Sequence, residues 1–145
     1  MPRHGQPADV HALVVVAMLL FSDLTRPQAA FWYQSLLAES GYGRLPRERA
    51  AFLIRETDGT LTLEPWPPGE RRHATFRGRI PAGTIAILHT HPHGEERPSA
   101  HDRDEAVRLR MPVVAITTGR VVAAMPDGGE VVLVPSPRFA GRGLG

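Results

Sequence analysis

The amino-acid sequence predicts an α+β domain, in which a central mixed β-sheet is flanked by two main helices. Three observations support this prediction: short apolar runs bounded by turn residues, an amphipathic stretch before them, and a polar helical stretch between two of them. The length of 145 residues is that of one ordinary domain, and a hydrophobic fraction of 42% is enough for a buried core. The sequence shows no repeat and no second domain.

The first helix is predicted to begin at Pro27, because proline is tolerated in the first turn of a helix. The apolar residues that follow recur at helical spacing, so they are expected to bury one face of the helix. Glycine and proline in residues 41–46 end it. The apolar residues of the predicted buried face are Phe31, Trp32, Leu36 and Leu37.

The remaining elements are predicted from short apolar runs and the turns between them. Residues 50–56 and 60–65 form a hairpin, since the sequence TDG between them favours a tight turn. Residues 84–88, TIAIL, are typical of a buried central strand. The elements predicted after that strand are a polar helix at about residues 100–110 and three strands joined by tight turns, at residues 112–118, 121–125 and 130–135.

Both ends of the chain are predicted to lie outside the domain of residues 27–135. Residues 1–26 contain an apolar run from His11 to Phe21, which is shorter than the roughly 20 residues of a membrane-spanning helix. We therefore expect no stable membrane insertion. The run fits either the core of a secretory signal or a segment that packs on the domain. Because such short apolar runs are more often part of a core, we expect a cytoplasmic protein, with export as the alternative. Residues 136–145 are predicted to be a flexible tail.

The composition excludes several kinds of chemistry. The chain has no cysteine, which rules out disulfides, thiol catalysis and cysteine-ligated metals, so any metal must be bound by histidine and carboxylate groups. The formal net charge of +2 does not indicate a nucleic-acid-binding protein.

Two histidines follow the predicted central strand at the spacing H-x-H. Side chains in a strand alternate between the two faces, so His89 and His91 are expected to project the same way. Two imidazoles on one face can share a metal ion. Pro92 then ends the strand pairing, which places this pair at a strand terminus, where loops and ligands meet.

The sequence Ser99-x-x-Asp102 precedes the second predicted helix and has two interpretations. It is the signature of a capping box, worth about 1 kcal/mol of helix stability and no chemistry. Alternatively, Asp102 is a third metal ligand, and two histidines with one carboxylate leave the fourth position open, as in catalytic zinc sites. The two roles are compatible for Ser99.

The stretch HTHPHGEERPSAHD resembles the JAMM motif of the MPN-domain zinc metallopeptidases, H-x-H-x(7)-S-x-x-D, and matches it in residue type and spacing. A further element of that family is an upstream glutamate, often in the sequence P-x-E ahead of the first strand. Pro46 and Glu48 match it. The resemblance covers residues 27–135, is to the stand-alone prokaryotic type, and implies a cytidine-deaminase-like MPN (JAB/JAMM) fold.

The resemblance also implies a set of roles for the matched residues. One zinc ion per chain would be bound by His89, His91 and Asp102, and would lower the pKa of a bound water toward ~7. Glu48 would be the general base, and Ser99 would donate a hydrogen bond to the developing oxyanion.

Spacing alone does not single out the base. Glu39 on the first predicted helix and Glu56 next to the hairpin turn are competing candidates, and the resemblance is what selects Glu48.

For the function, the resemblance implies hydrolysis of peptide or isopeptide bonds at the C-terminal tail of a ubiquitin-like or sulfur-carrier-like protein, bound by strand addition. The alternative is a catalytically silent MPN scaffold or binding module, since HGEERPS also resembles the RadC branch of the family. A third interpretation is an exported metal-binding protein that uses HTHPHGEE. The sequence indicates no particular oligomeric state.

Overall fold

The computed structural model describes residues 22–41, 48–66, 79–91 and 95–134. The predicted N-terminal apolar run and C-terminal tail lie outside these residues, so the predicted domain boundaries stay predictions. The described elements are, in chain order, α1 (Pro27–Glu39), β1 (Ala50–Arg55), β2 (Leu61–Pro65), β3 (Thr84–Thr90), α2 (Ala100–Leu109), β4 (Val113–Ile116), β5 (Val121–Ala124) and β6 (Glu130–Val134).

The strands form one mixed sheet in the order β2-β1-β3-β4-β5-β6. Neighbouring strands are antiparallel except β3 and β4, which are parallel. A parallel pair needs a crossover connection, and α2 is the helix in that connection. This arrangement confirms the predicted mixed sheet with two main helices.

The central strand β3 continues past the predicted apolar run. His89 and Thr90 still pair with Ala115 and Ile116 of β4, so the strand ends at Thr90 rather than at Leu88. Two polar residues can occupy this position because the sheet ladder satisfies their backbone groups.

Apolar side chains fill both sides of the sheet. On one side, Leu53 and Leu88 belong to the same buried cluster as the inner face of α1. On the other side, Phe52 and Ile87 cluster with Ala106 of α2. Residues directly opposite in an antiparallel pair share a face, and Phe52 lies opposite Ile87. The sheet is therefore a middle layer between the two helices, with one cluster on each side.

The helix α1 begins at Pro27 as predicted, but the prediction that Phe31 belongs to its buried face is wrong. Phe31 is 75% exposed, whereas Tyr33 is fully buried and its hydroxyl donates to the Leu24 carbonyl oxygen at 2.6 Å. The buried residues recur at intervals of three, one, three and one, a stripe that Tyr33 joins and Phe31 misses. They are Ala29, Trp32, Tyr33, Leu36 and Leu37.

Candidate metal centre

His89 lies near the C-terminal end of β3 and His91 follows the strand directly, both on the side of the sheet that α2 covers. His89 is directly opposite Ala50, two positions along from the Phe52–Ile87 pair, so the alternation of strand side chains places it on the α2 face. The pairing continues to His91, whose N–H donates to the Ile116 carbonyl oxygen at 3.0 Å. Both side chains are buried, with 1% and 6% of the residues exposed.

Asp102 enters the same space from the first turn of α2. Ser99 is the N-cap of this helix and forms a capping box with Asp102. The Ser99 hydroxyl accepts from the Asp102 N–H at 3.1 Å, and the Ser99 N–H donates to Asp102 Oδ2 at 2.8 Å. Asp102 is 2% exposed, so its carboxylate is buried at the end of β3.

Three side-chain atoms converge on one point. The Nε2 atoms of His89 and His91 are 2.8 Å apart, and they lie 3.2 Å and 3.0 Å from Asp102 Oδ2. A tetrahedral zinc ion with ligands at about 2.0–2.1 Å requires ligand atoms ~3.3 Å apart. The three residues therefore fit a metal ion of this size after a small expansion, and they are a group that can hold one.

The donor set itself also favours a cation over hydrogen bonds alone. Two ring nitrogens at 2.8 Å cannot both carry a proton that points at the same carboxylate oxygen without opposing each other. A metal ion at the shared point uses all three lone pairs at once, since neutral imidazoles and an ionised carboxylate are the forms that bind metals.

Burial and hydrogen bonding act in opposite directions on the charged groups. Burial raises the pKa of Asp102, but hydrogen bonds from His89 and His91 outweigh it and hold that pKa well below its usual value. Burial lowers the pKa of His91, and the hydrogen bond and charge of Asp102 reverse this, so the pKa is raised overall. Without a metal, the centre thus holds an ionised Asp102 carboxylate against a His91 ring whose protonated form is favoured.

The ring of His91 is oriented by a backbone group. Its Nδ1 lies 3.0 Å from the Glu95 carbonyl oxygen, which can only accept, so Nδ1 carries the proton of that bond. In the neutral ring, Nε2 is then the free lone pair that faces Asp102. This is the usual second contact of a metal-binding histidine.

Glu48 lies two residues before the start of β1 and is close enough to His89 and His91 for their charges to act on its carboxyl group. The β1–β3 register pairs Ala50 with His89, and continuing it by two residues places Glu48 opposite His91. Burial raises the pKa of Glu48, and the charges of His89 and His91 act against that rise. A carboxyl group whose pKa is raised near a metal site is suited to accept and return a proton.

The two competing glutamates lie elsewhere. Glu39 ends α1, and its carbonyl oxygen accepts from Arg49 Nε at 3.5 Å. Glu56 follows the far end of β1, where its Oε1 accepts from the Thr62 hydroxyl at 2.7 Å. Of the three candidates, the structure brings Glu48 to the histidines.

A cavity of about 670 Å³ adjoins the centre and is lined by His91, Ser99 and charged residues of two loops. The charged residues include Glu96 and Arg120, whose Oε2 and Nε lie 3.3 Å apart. Sequence reasoning missed Arg120, because it lies in the β4–β5 turn and belongs to no motif. The pairing of β3 with β4 brings that turn to the candidate metal centre.

Comparison with known proteins identifies the family. The family model of prokaryotic homologs of the JAB domain matches residues 33–131, a stretch that includes Glu48, Ser99 and all three candidate ligands. No match was found among curated proteins or among solved structures. In the described part of the chain, no helix has the length and apolar character needed to cross a membrane. The match covers more than half of the chain, which therefore belongs to the prokaryotic homologs of the JAB domain, as its resemblance to the JAMM (MPN) family predicts.

Proposed function

We propose that the chain is a zinc-dependent metallopeptidase of the JAMM type. It hydrolyses peptide or isopeptide bonds at the C-terminal tail of a ubiquitin-like or sulfur-carrier-like protein. The observation that carries the proposal is the convergence of His89 Nε2, His91 Nε2 and Asp102 Oδ2, all within 3.2 Å of one another, beside an open cavity. Three protein ligands with an accessible fourth side are typical of catalytic zinc sites rather than structural ones.

The zinc ion would supply a Lewis acid that activates water at neutral pH and polarises the scissile carbonyl group. Glu48 accepts the proton of the attacking water and returns it to the leaving amine. Its raised pKa supports this role, because a base must be strong enough to take the proton and weak enough to release it. The side chains that would hold the ion are buried, which limits access of bulk water to these ligands.

Ser99 donates a hydrogen bond to the carbonyl oxygen as that oxygen becomes negatively charged. Its hydroxyl oxygen accepts from the Asp102 N–H, and an acceptor of this kind still has its own O–H to donate. The side chain also lines the cavity next to His91. Such donors contribute ~3 kcal/mol to the transition state when they are held in place.

The substrate class rests on the family resemblance and on the form of the site. In the cavity beside His91, a bound tail would meet both acidic and basic side chains, namely Glu95, Glu96, Arg97 and Arg120. We expect no role for nucleic acid, and we expect the protein to work in the cytoplasm. A mature N-terminus at Met1 or Pro2, measured by mass spectrometry, would exclude export through a cleaved signal.

The function is tested by metal content and hydrolysis in one set of variants. The wild-type chain is expected to hold about one zinc ion and to cleave a sulfur-carrier-like protein fused through its C-terminal tail to a reporter domain. Glu48→Gln is expected to keep the zinc and lose about 10²–10⁴-fold in rate, the usual size of a general-base contribution. The matched control is Glu56→Gln, since Glu56 lies at the other end of β1.

The alternatives predict different results. A silent scaffold binds zinc or the tail-containing protein without cleaving it, in both the wild type and Glu48→Gln. A chain that takes up no zinc even after incubation with it would refute the proposed chemistry altogether. Equal rates for Glu48→Gln and the wild type would show that another group is the base.

A further inference from the structure

Arg49 and Thr90 are bonded to each other at the point where β3 ends beside the start of β1. The Thr90 N–H donates to the Arg49 carbonyl oxygen at 2.8 Å, as in a regular ladder. The return bond is different: the Arg49 N–H donates to the Thr90 hydroxyl oxygen, Oγ1, at 2.9 Å. A side-chain oxygen has taken the place that a backbone carbonyl occupies in a regular antiparallel pair.

The position of this bond matters because of what it holds. The Arg49 N–H belongs to the peptide group that joins Glu48 to Arg49. Thr90 Oγ1 therefore fixes the backbone unit from which the Glu48 side chain projects. The register on the other side of Arg49 is set by Ala50 opposite His89, so Glu48 is aligned with His91 through Arg49.

Thr90 is well suited to a fixed contact. It is 1% exposed, and its β-branched side chain has few accessible rotamers, so its hydroxyl has a defined place. It is also the residue between the two histidines of the metal centre. Residues 89–91, at the end of β3, thus place two candidate metal ligands on one face. Thr90, the residue between them, holds Arg49, the neighbour of the candidate base.

We propose that Thr90 is a positioning residue, whose hydroxyl holds Glu48 in reach of the metal centre through the Arg49 backbone. The inference rests on the proposed function, because it assigns Thr90 a part in placing the base. A displacement of about 1 Å in a reacting group can cost about 10²-fold in rate, so a single bond at this position can control the reaction.

The test compares three variants of the full, zinc-loaded chain. Thr90→Val removes the hydroxyl and keeps the side-chain shape, whereas Thr90→Ser keeps a hydroxyl. Thr84→Val is the matched control, because Thr84 lies at the other end of β3 and its hydroxyl donates to the Pro81 carbonyl oxygen at 2.7 Å. The substrate is the sulfur-carrier-like protein fused through its C-terminal tail to a reporter domain, called here the tail-fusion probe. The measurements are zinc content, kcat and KM on this probe, hydrogen exchange of the Arg49 amide, and the backbone order parameter of Glu48.

Thr90→Val is expected to keep one zinc ion, to lower kcat by about 10- to 100-fold, and to leave KM within about twofold. Its Arg49 amide is expected to exchange about tenfold faster, and Glu48 to become more mobile. Thr90→Ser is expected to retain most of the activity, and Thr84→Val to match the wild type. A merely structural role for Thr90 would lower stability without this selective loss in kcat and its rescue by serine.

Several results would overturn the inference: wild-type kcat in Thr90→Val, equal losses in the valine and serine variants, or an unchanged Glu48 order parameter in Thr90→Val. If the zinc-loaded wild type cleaves no probe, the proposed function fails. The Glu48 order parameter in Thr90→Val then tests the positioning role alone. A lower value than in the wild type supports that role, and an unchanged value contradicts it. If Thr90→Val does not fold, Thr90→Ala carries the same measurements, since it also lacks the hydroxyl.

Discussion

Ser99 and Asp102 bind each other twice, and one of the two bonds ends on the carboxylate oxygen that faces both histidines. The Ser99 N–H donates to Asp102 Oδ2 at 2.8 Å, and the same Oδ2 lies 3.0 Å from His91 Nε2. Asp102 Oδ2 therefore has two roles, as an acceptor in the capping box and as the candidate metal ligand. A capping contact that fixes the direction of a candidate ligand resembles the outer contacts of known metal sites.

Ser99→Ala is predicted to separate the hydroxyl from the rest of this arrangement. It removes the cap oxygen, so the free energy of unfolding is expected to fall by about 1 kcal/mol. It keeps the backbone N–H that holds Asp102 Oδ2, so zinc content is expected to stay at the wild-type level. The rate on the tail-fusion probe is expected to fall about 10²-fold, because the oxyanion donor is lost.

Ser99→Thr is the control for that experiment, since threonine retains both the cap and the O–H donor. It is expected to restore most of the stability and part of the rate. Loss of zinc from Ser99→Ala would show that the hydroxyl, rather than the N–H, secures the ligand. An unchanged rate would remove Ser99 from the catalytic machinery.

Two substitutions of Asp102 are predicted to distinguish the capping role from the ligand role. Asp102→Asn keeps an oxygen that can accept from the Ser99 N–H, whereas Asp102→Ala does not. Both are expected to lose zinc, because a neutral amide is a poor ligand in this site. Without metal, Asp102→Ala is expected to unfold more easily than Asp102→Asn by about 1 kcal/mol, measured by denaturant unfolding. Equal stabilities would mean that the capping box contributes nothing here.

The sequence predicts the parts of this site that depend on local geometry. The alternation of strand side chains puts His89 and His91 on one face, and the Ser-x-x-Asp spacing closes the capping box. Glu48 is different, because its approach to His91 depends on the register between β1 and β3. No local rule fixes that register, so spacing left three glutamates in competition and only the family resemblance selected one.

The same reasoning explains two misses. Helical spacing of apolar residues predicts that Phe31 belongs to the buried stripe, but Phe31 only adjoins that stripe and is exposed. Arg120 lies in a turn with no motif, and the parallel pairing of β3 and β4 brings it to the cavity. Both depend on which neighbours an element meets in the folded chain, and composition carries little of that information.

The stability of the metal-free and zinc-loaded forms is predicted to respond oppositely to pH. The folded-state pKa of His91 is raised, so its contribution is full below the unfolded value of about 6.5 and is lost as pH rises through the folded pKa. The pKa of Asp102 is lowered, so its contribution is present above about 3.9 and is lost as pH falls below that value. The metal-free protein is therefore expected to lose the His91 contribution as pH rises above about 6.5.

Zinc binding requires neutral histidines, so the stabilisation by zinc is expected to grow over the same pH range. The measurement is the melting temperature of both forms at several pH values between 5 and 8. His91→Gln lacks the titrating ring. The pH dependence of its metal-free melting temperature therefore gives the contribution of the other groups, which is subtracted from that of the wild type. If the difference in melting temperature between the zinc-loaded and metal-free forms stays constant or decreases as pH rises, the proposed zinc site is contradicted.

Gly119→Ala is predicted to change substrate binding through a contact across the cavity. A Cβ at residue 119 would overlap with Glu96 Oε1, so the flexible Glu96 side chain must move and release Arg120. Both partners of this ion pair are 44% exposed, and exposed pairs contribute about 0–1 kcal/mol, so stability is expected to change little. KM on the tail-fusion probe is expected to rise by up to about fivefold, with kcat and zinc content unchanged.

Glu96→Gln should reproduce the effect, and Gly129→Ala, in the next turn, should not. A KM equal to that of Gly129→Ala would show that the Glu96–Arg120 pair has no part in binding the substrate.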